Sequence, residues 1–227
     1  MTAAGRQMLE ERRGQVMMAG VALAVLLAVG LGYTAWTSRA SGRAHTLLAE
    51  AMALESARIG PAPAPGLPAP AGPSFETARA RNQAALTKYK VAADEYPSTP
   101  EGIFARYRQA ATYMALGEPA GGAKAFQEAI DQAGPDTLYG QLARLGLAEA
   151  NAQTGQYDQA IATFKELSQR KDGQVPVDGV LMSLARACLG AGKTSDAEQA
   201  FKRLVDEFPD SPFVQDATRG LDELKKS

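Results

Sequence analysis

The chain has 227 residues, 45% of them hydrophobic and 22% charged, which places it among folded proteins rather than disordered or collagen-like ones. Its 24 basic and 25 acidic residues cancel, so no positive field exists to hold a phosphate backbone, and nucleic acid is not an expected partner. One cysteine, Cys188, and one histidine, His45, exclude an internal disulfide, a thiolate zinc cage and a multi-histidine metal site. No cofactor is expected.

The charges are unevenly spread. Between Arg13 and Arg39 lie 25 residues without a single charge, and Val16–Trp36 carries only Thr34 outside the apolar, Gly, Tyr and Trp classes. Twenty-one residues at about 1.5 Å each give roughly 31 Å, the thickness of a bilayer's hydrocarbon core. The expectation is a cytoplasmic tail over 1–15 and a transmembrane helix over 16–37. Tyr33 and Trp36 stand at the far end, where amphipathic rings favour the membrane interface. The run is long for a cleaved signal, and the best small-x-small site, Ser38-Arg39-Ala40, lies late with a charge inside it. Arg6, Arg12 and Arg13 precede the span and Arg39 and Arg43 follow it, a bias toward a cytoplasmic N-terminus. In a Gram-negative cell the rest of the chain is then periplasmic, on a single-pass inner-membrane protein held in lipid by its N-terminal helix.

After the span, 38–59 carries Leu47, Leu48, Ala51, Met52 and Leu54 at helical spacing, a juxtamembrane helix. Residues 60–74 follow as a proline-rich linker or loop. Six prolines among 60–73 remove too many N–H donors for a helix or central strand. The segment reads either as a spacer or as a loop inserted between 43–58 and its helical partner.

From 75 to 227 the sequence repeats itself. Asp94-Glu95-Tyr96-Pro97-Ser98-Thr99-Pro100 returns 112 residues later as Asp206-Glu207-Phe208-Pro209-Asp210-Ser211-Pro212. Between them Gly117, Gly155 and Gly192 are spaced by 38 and 37. Each glycine has an alanine seven residues before it (Ala110, Ala148, Ala185) and a phenylalanine nine after it (Phe126, Phe164, Phe201). Ala160 and Ala197, with Gly122, stand five after. Such a period with helical spacing between its marks predicts an all-α solenoid of helical hairpins. Small residues suit close backbone crossings, the phenylalanine fills the gap to the next pair, and each glycine can end a helix in the left-handed conformation. The expected helices are 75–96, 100–116, 120–133, 137–154, 158–170, 177–190, 195–208 and 212–225. Thr99-Pro100 and Ser211-Pro212 place a capping hydroxyl before a proline at the first helical position, and Ser195 with Glu198 makes a capping box.

These marks resemble the tetratricopeptide repeat: Ala148, Gly155, Tyr157, Ala160 and Phe164 fit its pattern, as do the closing Pro97 and Pro209. The resemblance covers about residues 75–224. It departs where the family places an aromatic early in the first helix, here Arg106, Arg144 and Leu181. It implies a groove lined by the first helix of each pair. Projecting the repeat puts Tyr107, Ala111 and Met114, then Leu145 and Glu149, then Met182 and Arg186 on that side, a mix suited to an extended peptide or a partner helix. The family's lysine and asparagine clamp for a C-terminal carboxylate is absent.

Catalytic readings fare poorly. Ala187–Thr194 ends in Gly-Lys-Thr, a permissive phosphate-loop pattern, but it lies between two expected helices and Gly192 belongs to the repeat, so a nucleotide site is only a remote alternative. Cys188 is expected as an apolar filler and His45 as an interfacial polar residue. With its anchor, short linker and repeat domain, the chain resembles the ancillary SecYEG translocon subunit family, which implies a non-catalytic scaffold beside the protein-export channel. The breaks between repeats also resemble the Tol-Pal cell-division coordinator and outer-membrane assembly lipoproteins, although no cysteine near position 40 allows lipidation. An accessory subunit of a respiratory or photosynthetic membrane complex is the third reading.

Overall fold

The computed structural model describes residues 17–18, 21–25, 41–60, 72–170 and 173–226. The expected tail over 1–15 lies outside them, as does most of the expected span, including Tyr33 and Trp36. Met17, Met18 and 21–25 are helical, and Met17, Met18, Val21, Leu23 and Val25 are exposed. Among the described residues no helix is long and apolar enough to cross a membrane. The chain divides into two units, Met1–Arg43 and Ala44–Ser227.

The second unit is a row of antiparallel helical hairpins. Helix α1, described over 41–55, is followed by α2 (Ala78–Glu95), α3 (Pro100–Ala115), α4 (Pro119–Ala133), α5 (Leu138–Gln153), α6 (Tyr157–Gln169), α7 (Val177–Gly190), α8 (Thr194–Glu207) and α9 (Val214–Leu224). Each helix packs on its sequence neighbour, and the first helices α3, α5 and α7 also touch in turn. The eight helices expected after residue 75 are all present, with ends within three residues of their expected positions.

The repeat marks carry the packing. Ala110, Ala148, Ala185, Ala160 and Ala197 have no exposed surface, so each pair of helices meets backbone to backbone. Phe126, Phe164 and Phe201 are buried, and Tyr89 takes the same place in the first hairpin. The Phe126 ring lies directly on Gly146 of α5, and the Phe201 ring on Gly220 of α9. Helix α9, with no second helix after it among the described residues, thus covers the last aromatic mark.

The three spaced glycines end their helices as the sequence predicts. Gly117, Gly155 and Gly192 have φ of 77, 80 and 72°. In each case the amide after the glycine donates back five residues, Glu118 to Tyr113, Gln156 to Asn151 and Lys193 to Cys188. The glycine amide donates back three. That pair of bonds is a Schellman motif, repeated at the turns of the α3–α4, α5–α6 and α7–α8 hairpins.

Three local expectations need correction. Residue 75 does not start α2, which begins at Ala78. Ser74 and Phe75 pair in parallel with Arg58 and Ile59, giving two-residue strands β1 (Arg58–Ile59) and β2 (Ser74–Phe75) at either end of the proline-rich segment. Pro73 precedes them, and Thr77 caps α2 by accepting from the Ala80 amide at 3.1 Å. Residues 61–71 lie outside the described set, but α1 packs its Leu48 and Ala51 against Ala85, Tyr89 and Ala92 of α2, so 41–55 and 78–95 form a hairpin. Second, the Ser195–Glu198 capping box does not form. Helix α8 already begins at Thr194, which leaves Ser195 inside its first turn, and Glu198 pairs with Lys202 at 2.6 Å. Third, Thr99 caps α3 through the Gly102 amide at 3.0 Å, but Ser211 does not cap α9 in the same way. Its hydroxyl donates to Asp178 of α7 at 2.7 Å and accepts from Phe213, and the helix starts three residues later.

The positions where the family expects an aromatic have an electrostatic solution. Arg106 is buried. It donates to Asp94 at 2.6 Å and to Gln109 at 2.8 Å, and pairs with Glu128 at 3.2 Å. One repeat on, Arg144 pairs with Glu166, the same contact shifted by 38 residues. At the third site Leu181 is fully buried and apolar.

Candidate partner-binding groove

The first-helix face is built by helical spacing. Along α3 the partly open positions are Phe104, Tyr107, Arg108 and Ala111; along α5 they are Leu138, Leu142, Leu145 and Glu149; along α7, Ser183 and Arg186. Successive hairpins bring these stripes side by side. Phe104 and Tyr139 lie with ring centroids 5.3 Å apart, Tyr107 and Tyr139 6.3 Å, and Tyr107 reaches Phe126 behind it at 5.9 Å. The result is an aromatic patch spanning α3 and α5.

Beside it a groove of about 330 Å³ is lined by Glu149, Ala152 and Gln153 of α5, Tyr157 and Phe164 of α6, and Ser183, Arg186 and Ala187 of α7. Glu149 reaches solvent through the groove mouth, yet the surrounding walls restrict its water and push its carboxyl pKa above the usual range. Among the described residues it has no ion pair and no hydrogen bond. Arg186 stands on the α7 side, largely exposed, with Asp216 of α9 at 3.7 Å. Burial raises the Tyr107 hydroxyl pKa; the Arg108 cation opposes this, while Glu149 and Tyr139 add to it. Arg108 itself is engaged by Glu55 of α1, which also accepts from the Tyr89 hydroxyl.

Of the seven residues projected onto this face, Tyr107, Ala111, Glu149 and Arg186 stand on it. Leu145 is half-buried against the core cluster around Phe164. Met114 turns toward α4, where its sulfur lies 2.8 Å from the position a Cβ on Gly122 would take. Met182 is buried in the core at 3% exposure and offers a partner nothing. Met114 fills space that Gly122 leaves open and Met182 joins the core cluster, and helical projection alone does not distinguish filling from display. The projection also missed Phe104, Tyr139 and Tyr157. Phe104 sits one turn before Tyr107 on the same face, a legible signal; Tyr139 lies in the first turn of α5, where the repeat marks give no guide.

The Gly-Lys-Thr run is a hairpin turn between α7 and α8, and Lys193 pairs with Asp158 of α6 at 2.6 Å. Helix α7, not a strand, leads into it. Cys188 is fully buried, and its burial pushes the thiol pKa up, away from the reactive thiolate.

Hairpins stacked at a 37–38 residue period, with small residues at the crossings and an aromatic at each joint, define a helical-repeat scaffold protein. The chain belongs to the tetratricopeptide repeat-like domain family, whose pattern it matches over residues 11–215. No curated protein is similar enough to count as a match. Domains of this family generally mediate protein–protein interactions and are generally not catalytic.

Proposed function

We propose that the chain is a non-catalytic, membrane-anchored scaffold whose first-helix face docks protein partners at the periplasmic side of the inner membrane, beside the protein-export translocon. The observation that carries the docking role is the aromatic and charged strip of Phe104, Tyr107, Tyr139, Glu149 and Arg186 across three successive hairpins. Rings of this kind supply large contact area at low entropic cost, and isolated charges fix register. The anchor rests on the 25-residue uncharged run. The family match begins at residue 11 and so takes in that run together with the repeats, which favours one functional unit of anchor and scaffold.

Two measurements test this reading. The full chain should stay in the membrane pellet after an alkaline carbonate wash and keep its original N-terminus; a new N-terminus near Ser41 refutes the anchor. A photo-crosslinker at Tyr107 in intact membranes should capture translocon subunits. Capture of Tol or penicillin-binding components, or of an electron-transfer complex, transfers the scaffold to those assemblies instead.

A further inference from the structure

Arg106 draws two carboxylates away from the lysines nearest to them. Asp94 lies one turn beyond Lys90 on α2, and Glu128 one turn beyond Lys124 on α4, a spacing that lets opposite charges meet. Both carboxylates turn instead to the buried guanidinium, at 2.6 and 3.2 Å. Lys90 and Lys124 are left with neither an ion pair nor a hydrogen bond among the described residues. Both line one pocket of about 440 Å³ between α2, α3 and α4, on the second-helix side. The Arg106 side chain, only 8% exposed, and Gln132 line it too, and Arg106 Nε and Gln132 Oε1 are buried without a partner. The hydrogen bonding of this wall is therefore incomplete without a further group.

The equivalent place two hairpins along is internally neutral. Lys165, Leu181, Asp196 and Gln199 each stand 75 residues after Lys90, Arg106, Gly121 and Lys124. There Lys165 pairs with Asp196 at 2.7 Å, and fully buried Leu181 brings no charge. In the α2–α4 pocket a glycine replaces that aspartate, and Lys124 adds a second free cation.

We infer that this pocket binds a phosphate monoester, with the phosphoryl group bridging Lys90 and Lys124. Two ammonium groups, each a compact charge with three donors, match the charge and the acceptor oxygens of such a group. Recognition of a carboxylate would favour the paired fork of an arginine, and here Asp94, Gln109 and Glu128 already occupy the Nη groups of Arg106. Tyr113 lays its ring against the bare backbone of Gly121 and offers a flat wall to the organic part of the ester. The further charges of a triphosphate would meet Asp94 and Glu128 on the same walls, so a compact monoester is preferred. The site uses residues separate from the docking strip of the first-helix face, and either can stand without the other.

The test is isothermal titration of the full chain in detergent at low ionic strength. The probes are inorganic phosphate, glycerol 3-phosphate, O-phosphoserine and a phosphoserine peptide, with glycerol, serine and the unmodified peptide as controls. The phosphorylated probes should bind and the controls should not. Lys90→Gln together with Lys124→Gln should weaken binding at least tenfold while the melting temperature holds, because neither lysine has a partner to lose. The same charge removed elsewhere, by Lys88→Gln with Lys202→Gln, should leave binding within about twofold. Gly121→Asp restores the carboxylate of the Asp196 position and should also abolish binding; its thermal melt checks that the Tyr113 ring accommodates the new side chain. A phosphoserine peptide that binds at least tenfold tighter than the free esters assigns the group to a modified partner protein, and equal binding assigns it to a small phosphate ester; both support the site. Failure of every phosphorylated probe, or binding of inorganic phosphate alone, overturns the inference. So does binding that survives loss of Lys90 and Lys124, or that falls equally when the remote pair is changed.

Discussion

The contact between Phe126 and Gly146 is the sharpest test of how the hairpins lock together. A Cβ added at Gly146 would lie 2.3, 2.5 and 2.6 Å from three carbons of the Phe126 ring, all below any ordinary carbon–carbon contact. The ring is only 3% exposed, so it has no open side to swing into, and the helix backbone beneath cannot retreat without parting α5 from α4. Gly146→Ala carries an intrinsic helical gain of about 1 kcal/mol. Overpacking a tight core costs about 1–3 kcal/mol, and three simultaneous clashes belong at the upper end. The net expectation is a loss of about 1–2 kcal/mol, measured by urea unfolding followed by far-ultraviolet circular dichroism. Gly179→Ala is the control. Its Cβ would meet the Phe213 ring at an ordinary 3.7 Å, so that variant should keep or gain stability. Phe126→Leu shortens the clashing ring, and the double variant should be more stable than the sum of the two single losses. A Gly146→Ala protein as stable as the parent, with additive behaviour toward Phe126→Leu, would refute the ring-on-backbone joint.

Phe164, 1% exposed at the next joint, should cost about 3–5 kcal/mol on truncation to alanine by the same assay, and a loss under about 1 kcal/mol would mean the repeat register is misplaced. Lys193→Ala should change stability by no more than about 0.5 kcal/mol, since its pairing with Asp158 is exposed, and ATP should leave the melting temperature unmoved; a nucleotide-dependent shift lost in the variant would restore the phosphate-loop reading. Tyr89, whose hydroxyl pKa is pushed from 10.0 to about 12 chiefly by burial and then by its bond to Glu55, should be the late-titrating tyrosine in an ultraviolet absorbance titration. Because the neutral form is favoured in the folded state, its contribution is complete below about pH 10 and is lost as pH rises toward about 12, and Tyr89→Phe should blunt that alkaline loss.

The architecture was legible because each hairpin needs the same few residues at the same offsets. Gly117, Gly155 and Gly192 could be read as helix ends because a left-handed residue is required there and glycine takes it without strain. The alanines and phenylalanines could be read as core because a small residue suits the crossing and an aromatic ring the joint, as Gly122 and Tyr89 also show. What failed was local hydrogen-bond chemistry. Ser195 and Ser211 match capping patterns in sequence, but a helix that starts one residue early, or a hydroxyl drawn to Asp178 on another helix, removes the cap. The β1–β2 pair is two residues long, too short for any alternation to register. Arg106 looked like a departure from the repeat, and only the placement of Asp94 and Glu128 around it shows an ion cluster in the position of the missing ring.

The proposed docking face was half legible for a related reason. Helical projection decides which side of an α-helix a residue occupies, and Tyr107, Glu149 and Arg186 do keep part of their surface open on that side. It cannot decide whether a flexible apolar side chain on that side stays there. Met114 folds onto the bare backbone of Gly122, and Met182 sinks into the core, because an unbranched thioether goes wherever space is left. Nor does any sequence pattern reveal that a carboxylate lacks a partner, since pairing is decided by neighbours 30 to 40 residues away, one hairpin along. Lys165 finds Asp196 and Lys193 finds Asp158 across that distance. Near Glu149 the cation one hairpin along is Arg186, and α9 supplies Asp216 to draw it aside.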